Sequence, residues 1–149
     1  MNKRISLDEA YMQMAEVWSQ RSHAVRKKVG AIVVKGNRII ADGYNGTPKG
    51  FDNVCEIEVV GINEFIPELV TKPEVLHAES NALLKLANST ESSGGSTLYV
   101  TLSPCFECSK LIIQAGINRI VYREEYRITD GIDFLRSAGL EVVKLPNKE

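Results

Sequence analysis

The chain has 149 residues, 44% hydrophobic and 25% charged, with a formal net charge of −1. That is enough for one domain with a hydrophobic core, and the charge balance argues against a domain built mainly to hold nucleic acid, which carries a basic excess. No apolar run approaches the roughly eighteen residues of a membrane span, and the basic start "MNKRISLDEAYMQMAEVW" lacks the apolar stretch of a signal peptide, so a cytoplasmic protein is expected (the host cytoplasm if phage-encoded).

Ser6-Leu7-Asp8-Glu9 fits a capping box, and Leu7, Tyr11, Met14 and Trp18 follow at helical spacing, which predicts a helix from about Leu7 to Gln20 with Trp18 and the methionines as its core face. "VGAIVVKGNRIIADGY" places two β-branched runs around Lys35-Gly36-Asn37 and predicts a hairpin, Val29–Val34 with Arg38–Tyr44. From Asn45 to Leu76 there is no sustained period, so a long loop is expected, functional or covered by a partner. "HAESNALLKLAN" returns to helical spacing, "ESSGGS" is a turn, and "TLYVTL" reads as a short buried strand. Ser103 can cap a helix with Pro104 at its first position, running through "CFECSKLIIQA" to Gly116. "INRIVY" is a strand, Thr129 or Asp130 can cap a helix that stops at Gly139, and "LEVVKL" is a last strand. The order α-β-β-α-β-α-β-α-β implies an α/β fold in one domain, 1–149. A mixed five-stranded sheet with helices on both faces is expected.

Cys105 and Cys108 stand three apart in the first turn of a predicted helix, so both sulfurs share one face. The helix N-terminus favours thiolate over thiol, and thiolates select zinc. With three cysteines and a reducing compartment, a disulfide framework is not expected. A third ligand must come from one of two histidines, His23 or His77. His77-Ala78-Glu79 sits where a helix begins and the chain is still extended, so His77 and Glu79, two apart, can face one cavity. Three protein ligands leave zinc an open position for water, the mark of a catalytic site, and zinc brings the pKa of that water towards neutrality. Glu79 is then the natural proton shuttle. A redox CxxC would leave His77 and Glu79 unexplained, and a structural zinc would need a fourth ligand such as Cys55 or His23.

H-x-E followed by P-C-x-x-C is the arrangement of the zinc nucleobase deaminases, in which hydroxide attacks C4 of cytosine. With "VGAIVV", "GYNGTPKG", "HAESNAL", "YVTLSPCFECSKLIIQAGI" and "VYREEYRI", the chain resembles the deoxycytidylate deaminases of the cytidine deaminase-like superfamily, bacterial and phage members most closely. The resemblance implies a three-layer α/β/α sandwich, one catalytic Zn2+ on His77, Cys105 and Cys108, and conversion of dCMP to dUMP, precursor for thymidylate. It also implies a homo-oligomer, a hexamer in many members, activated by dCTP (with Mg2+ as its companion) and inhibited by dTTP. No nucleic acid or membrane partner is expected.

Gly43 and Gly46 let backbone approach a ligand closely, with a plain surface turn as the other reading. The resemblance puts Asn45 on the deoxyribose and Gly43, Gly46, Thr47 and Lys49 near a nucleotide, the allosteric triphosphate included. It puts Arg127 on the phosphate and Tyr126 near the base or sugar. Arg26, in "RSHAVRKKVG", is a second phosphate candidate, while Lys27 and Lys28 read equally as a solvated loop. Phe106 is either a wall of the base pocket or core. Some members hold a second, structural zinc; here Cys55 has no matching cysteine near position 24, which favours a free, partly buried thiol. Rival readings keep the chemistry but change the substrate to dCTP, cytidine or a tRNA adenosine, or replace catalysis by deoxynucleotide sensing or a structural zinc module.

Overall fold

A computed structural model describes residues 3–61 and 65–147. Four helices and seven strands alternate along them: α1 Leu7–Ser19, β1 Gly30–Lys35, β2 Arg38–Tyr44, β3 Glu56–Val60, β4 Pro67–Thr71, α2 Ala78–Ala87, β5 Thr97–Leu102, α3 Phe106–Gln114, β6 Arg119–Glu124, α4 Asp130–Ser137 and β7 Glu141–Lys144. The main sheet has the order β2-β1-β5-β6-β7. β1 is antiparallel to β2 and β5, while β5, β6 and β7 run parallel through helical crossovers, so the sheet is mixed as expected.

The two faces of β1 point into two cores. Ile32 and Val34 meet Met12 and Ala15 of α1, whereas Ala31 and Val33 meet α2, α3 and α4 through Ala82, Ile112 and Leu135. The result is the α/β/α sandwich. No helix among the described residues is long and apolar enough to cross a membrane.

Three expectations need correction. The buried face of α1 is Met12 and Ala15, each fully buried, while Leu7 and Met14 are 58% and 46% exposed. The helix lies so close on β1 that a Cβ added to Gly30 would fall 2.0 Å from the Ala15 carbonyl oxygen; Ala15 and Gly30 mark the closest approach, with Met12 buried beside them. The same helix points carboxylates at β6. Asp8 takes both Arg119 Nη atoms at 2.8 and 2.7 Å and the Tyr99 hydroxyl at 2.6 Å, while Glu9 and Glu16 share Arg123. Second, the segment expected to be a loop contains the antiparallel β3–β4 hairpin, in register from Glu56↔Thr71 to Val60↔Pro67. Glu56 is the only buried residue of either strand, so no alternation betrayed it. Third, α3 is capped by Cys105 rather than Ser103, whose hydroxyl instead accepts from the Tyr126 amide at 2.7 Å.

Arg119's guanidinium, hydrogen-bonded to Asp8, holds that carboxyl below its ordinary value of 3.8. Asp8→Asn is therefore expected to destabilise the fold by about 1–2 kcal/mol at pH 7. A depressed native pKa gives stability that is present above the unfolded value and lost as the group protonates. The gap between wild type and variant in urea unfolding should be full above about pH 4 and close on further acidification.

Candidate active site

Two helix N-termini converge at the carboxyl ends of β5 and β6, the edge where open α/β sheets form their binding crevices. His77 is the N-cap of α2, with φ −75° and ψ 158°, so it is still extended, and Glu79 follows one residue into the helix. That geometry turns both side chains towards one space. The approach to His77 is held by reciprocal backbone hydrogen bonds between Leu76 and Gly46, at 3.0 and 2.8 Å. Opposite, Cys105 caps α3 and its Sγ accepts from the Cys108 amide at 3.5 Å.

His77 Nδ1 lies 3.2 Å from Cys108 Sγ and 3.5 Å from Cys105 Sγ. The three ligand atoms lie within 4.8 Å of one another, the only such group among the described residues. Zinc bonds of 2.3 Å to sulfur and 2.0–2.1 Å to nitrogen at tetrahedral angles put two donors about 3.5–3.8 Å apart, so this set fits the ion. Hydrogen bonding from Cys108 brings Cys105 down to about 4, and the same contact, with burial, pushes Cys108 up. His77 is raised, chiefly by its bond to Cys105. Glu79 is buried beside them, and desolvation pushes its carboxyl up.

These groups open into a cavity of about 450 Å³. His77, Glu79 and Cys105 line it together with Asn45, Cys55 and Tyr126. Three cations, Arg26, Lys27 and Arg127, reach it from two loops. Arg127 sits 6.0 Å over the Tyr126 ring, and Lys27 pairs with Glu124 at 2.5 Å. The Asn45 amide is already engaged: Oδ1 accepts from Val29 N at 2.9 Å and Nδ2 donates to the Lys27 carbonyl at 2.8 Å. It therefore secures the loop that carries Lys27 while facing the cavity.

Other candidates stand elsewhere. Phe106 is not part of the lining; it packs against Phe134 with ring centroids 4.8 Å apart, so it forms no wall of the pocket. Gly43, Gly46, Thr47 and Lys49 do not line the cavity either. Gly43 is a packing glycine: a Cβ there would lie 2.4 Å from the Ala78 carbonyl oxygen and 2.6 Å from Ala82 N. Thr47 donates to the Asp52 carbonyl at 2.5 Å, and Lys49 is exposed. His23 is exposed and outside the metal group, and Cys55 is a buried free thiol that burial pushes up. Sequence reasoning missed Glu56 and Glu124 in the lining, and Ser80, whose Oγ lies 3.7 Å from Cys108 Sγ. Glu124, inside "VYREEYRI", and Ser80, inside "HAESNAL", stood in quoted motifs; Glu56 did not.

A three-layer α/β/α sandwich with a His/Cys/Cys group beside a buried carboxylate defines a hydrolytic deaminase. The cytidine and deoxycytidylate deaminase zinc-binding region matches residues 5–124, and the chain belongs to that family. The deoxycytidylate deaminase of enterobacteria phage T4 is 36% identical over 92% of this chain and 89% of its own length. That of mycobacterium phage D29 is 41% identical over 79% and 94%. Among solved structures, the dCMP deaminase of cyanophage S-TIM5, in complex with dCMP and dUMP, superposes with a TM-score of 0.85 at 52% identity, covering 97% of this chain and all of that one.

Proposed function

We propose that this chain, as one catalytic domain over residues 1–149, hydrolyses dCMP to dUMP and ammonia, with zinc on His77, Cys105 and Cys108. One observation carries this: the three ligand atoms cluster beside a cavity lined by His77, Cys105 and the buried Glu79, which Arg26, Lys27 and Arg127 also line. Bound zinc supplies a Lewis acid that lowers the pKa of a coordinated water to about 7. Glu79 takes a proton from the water that adds to C4, delivers it to N3, and protonates the amino group that departs. Burial on α2 keeps that carboxylate in place and limits bulk water around it. Arg127 and Arg26 offer guanidinium forks to the 5′-phosphate, with Tyr126 and Asn45 beside the nucleoside. The named activity of the phage relatives and the dCMP and dUMP of the cyanophage complex support the substrate.

In the same proposal the product feeds thymidylate synthesis in the cytoplasm. The chain works as a homo-oligomer, a hexamer, activated by dCTP with Mg2+ and inhibited by dTTP.

The test is ammonia release by the purified protein from dCMP, cytidine and dCTP, each with and without dCTP plus Mg2+. The expected result is turnover of dCMP over the other two, raised by dCTP, lost on chelation and restored by zinc. Turnover confined to cytidine or dCTP would overturn the substrate; zinc-loaded, folded protein inert on all three would overturn catalysis.

A further inference from the structure

The β3–β4 hairpin exposes all of its ten strand residues except Glu56 and the half-buried Val59. A two-stranded hairpin alone is marginally stable in water, and this one does not join the main sheet. Its only deeply buried side chain is a carboxylate, at 8% exposure. A carboxylate is an expensive group to bury, and it persists where it has donors to satisfy it. Glu56 Oε2 accepts from the amides of both Val25 and Arg26, each at 2.9 Å.

The second anchor is on the paired strand. Thr71 stands directly across from Glu56, and its hydroxyl accepts from Arg26 Nη1 at 3.3 Å. The Lys72 amide donates to the Cys55 carbonyl at 2.8 Å and closes the base of the hairpin just beyond that pair. Arg26 is thus held at both ends, its backbone by Glu56 and its guanidinium by Thr71. All three residues line the cavity that contains His77 and Glu79.

The choice of partners matters. Among the described residues Lys27 is paired with Glu124, but no carboxylate pairs with the Arg26 guanidinium. A neutral hydroxyl orients that guanidinium without neutralising it, so its charge stays available to an anion. An arginine on a free loop would lose its rotamer entropy on each binding event; one already held loses less.

Resting on the dCMP reading above, we infer that the β3–β4 hairpin is the phosphate-specificity element of this enzyme, with Glu56 as the residue that positions Arg26. Glu56→Gln keeps the shape but replaces a charged acceptor of two amides by a neutral one. KM for dCMP should rise about tenfold with kcat little changed. Deoxycytidine, the same nucleoside without phosphate, should keep its kcat/KM. Arg26→Met should raise KM for dCMP at least as far, and the double variant should be no worse than Arg26→Met alone. Thr71→Val, on an exposed strand, should raise KM by a smaller factor.

A proportional loss on deoxycytidine would overturn the inference, because a structural role or a sugar contact affects both substrates. So would a Glu56→Gln effect that adds in full to Arg26→Met. If Glu56→Gln fails to melt cooperatively, Thr71→Val decides, and an unchanged KM for dCMP in that variant overturns it. A wild-type enzyme that handles dCMP and deoxycytidine alike would instead bring down the proposed substrate. A wild type that prefers dCMP beside an unmoved Glu56→Gln would bring down the hairpin's role alone.

Discussion

Glu79→Gln is expected to lower kcat on dCMP by about 10⁴-fold, the upper end of what a positioned acid–base group contributes. Zinc content should stay at about one per chain, because the carboxylate is not among the ligand atoms that cluster around His77 Nδ1. The amide matches the carboxylate in size but cannot accept the proton from the attacking water or return it to N3 and the departing amine. Stability should hold or rise, since burial already disfavours the ionised carboxylate at this position. Metal analysis, melting and ammonia release on one preparation give all three readouts. Cys108→Ala makes the contrast: it removes a buried ligand and should lose zinc and turnover together. A Glu79→Gln enzyme that still turns over dCMP would sink the proposed proton path and assign the proton transfers to another group.

His77, Glu79, Cys105 and Cys108 were legible in the sequence for a physical reason. Few residue types bind zinc, and helix-start signals fix where their side chains point, so spacing paired Cys105 with Cys108 and His77 with Glu79, and the family resemblance joined the two pairs. The five strands of the main sheet were legible because each carries apolar residues packed against a core and is bounded by turn residues. The hairpin was not, because its strands are solvated on both faces and no period of two survives in them. Glu56 escaped for a related reason: its partners are backbone amides some thirty positions upstream, and an amide leaves no trace in residue identity. On α1 the methionines divide, because close approach selects Ala15 and Gly30 and buries Met12 beside them while Met14 faces outwards. Phe106 was ambiguous between core and pocket, and Phe134, twenty-eight residues later, settles it on the α3–α4 contact.

Gly43→Ala is expected to show that "GYNGTPKG" serves the metal site through helix α2. The added methyl would sit 2.4 Å from the Ala78 carbonyl oxygen, 2.6 Å from Ala82 N and 3.2 Å from Ala82 Cα. All three are backbone atoms, so no side chain can rotate away, and either β2 or α2 must shift. Overpacking of this kind costs about 1–3 kcal/mol. The helix that must yield carries His77 at its cap and Glu79 in its first turn. A displacement near 1 Å at a reacting group lowers rate about 10²-fold, so kcat should fall by that order in protein that is still folded. Gly94→Ala is the control: its methyl meets only Ser92 Oγ, at 3.4 Å, and should leave kcat within about twofold. If instead Gly43 served a ligand through its exposed backbone, the variant would change nucleotide affinity and leave kcat alone. A loss of kcat with unchanged zinc content and a lowered melting temperature would assign the glycine to the close approach of strand and helix, with the Glu79 carboxylate on the residue next to the closest contact.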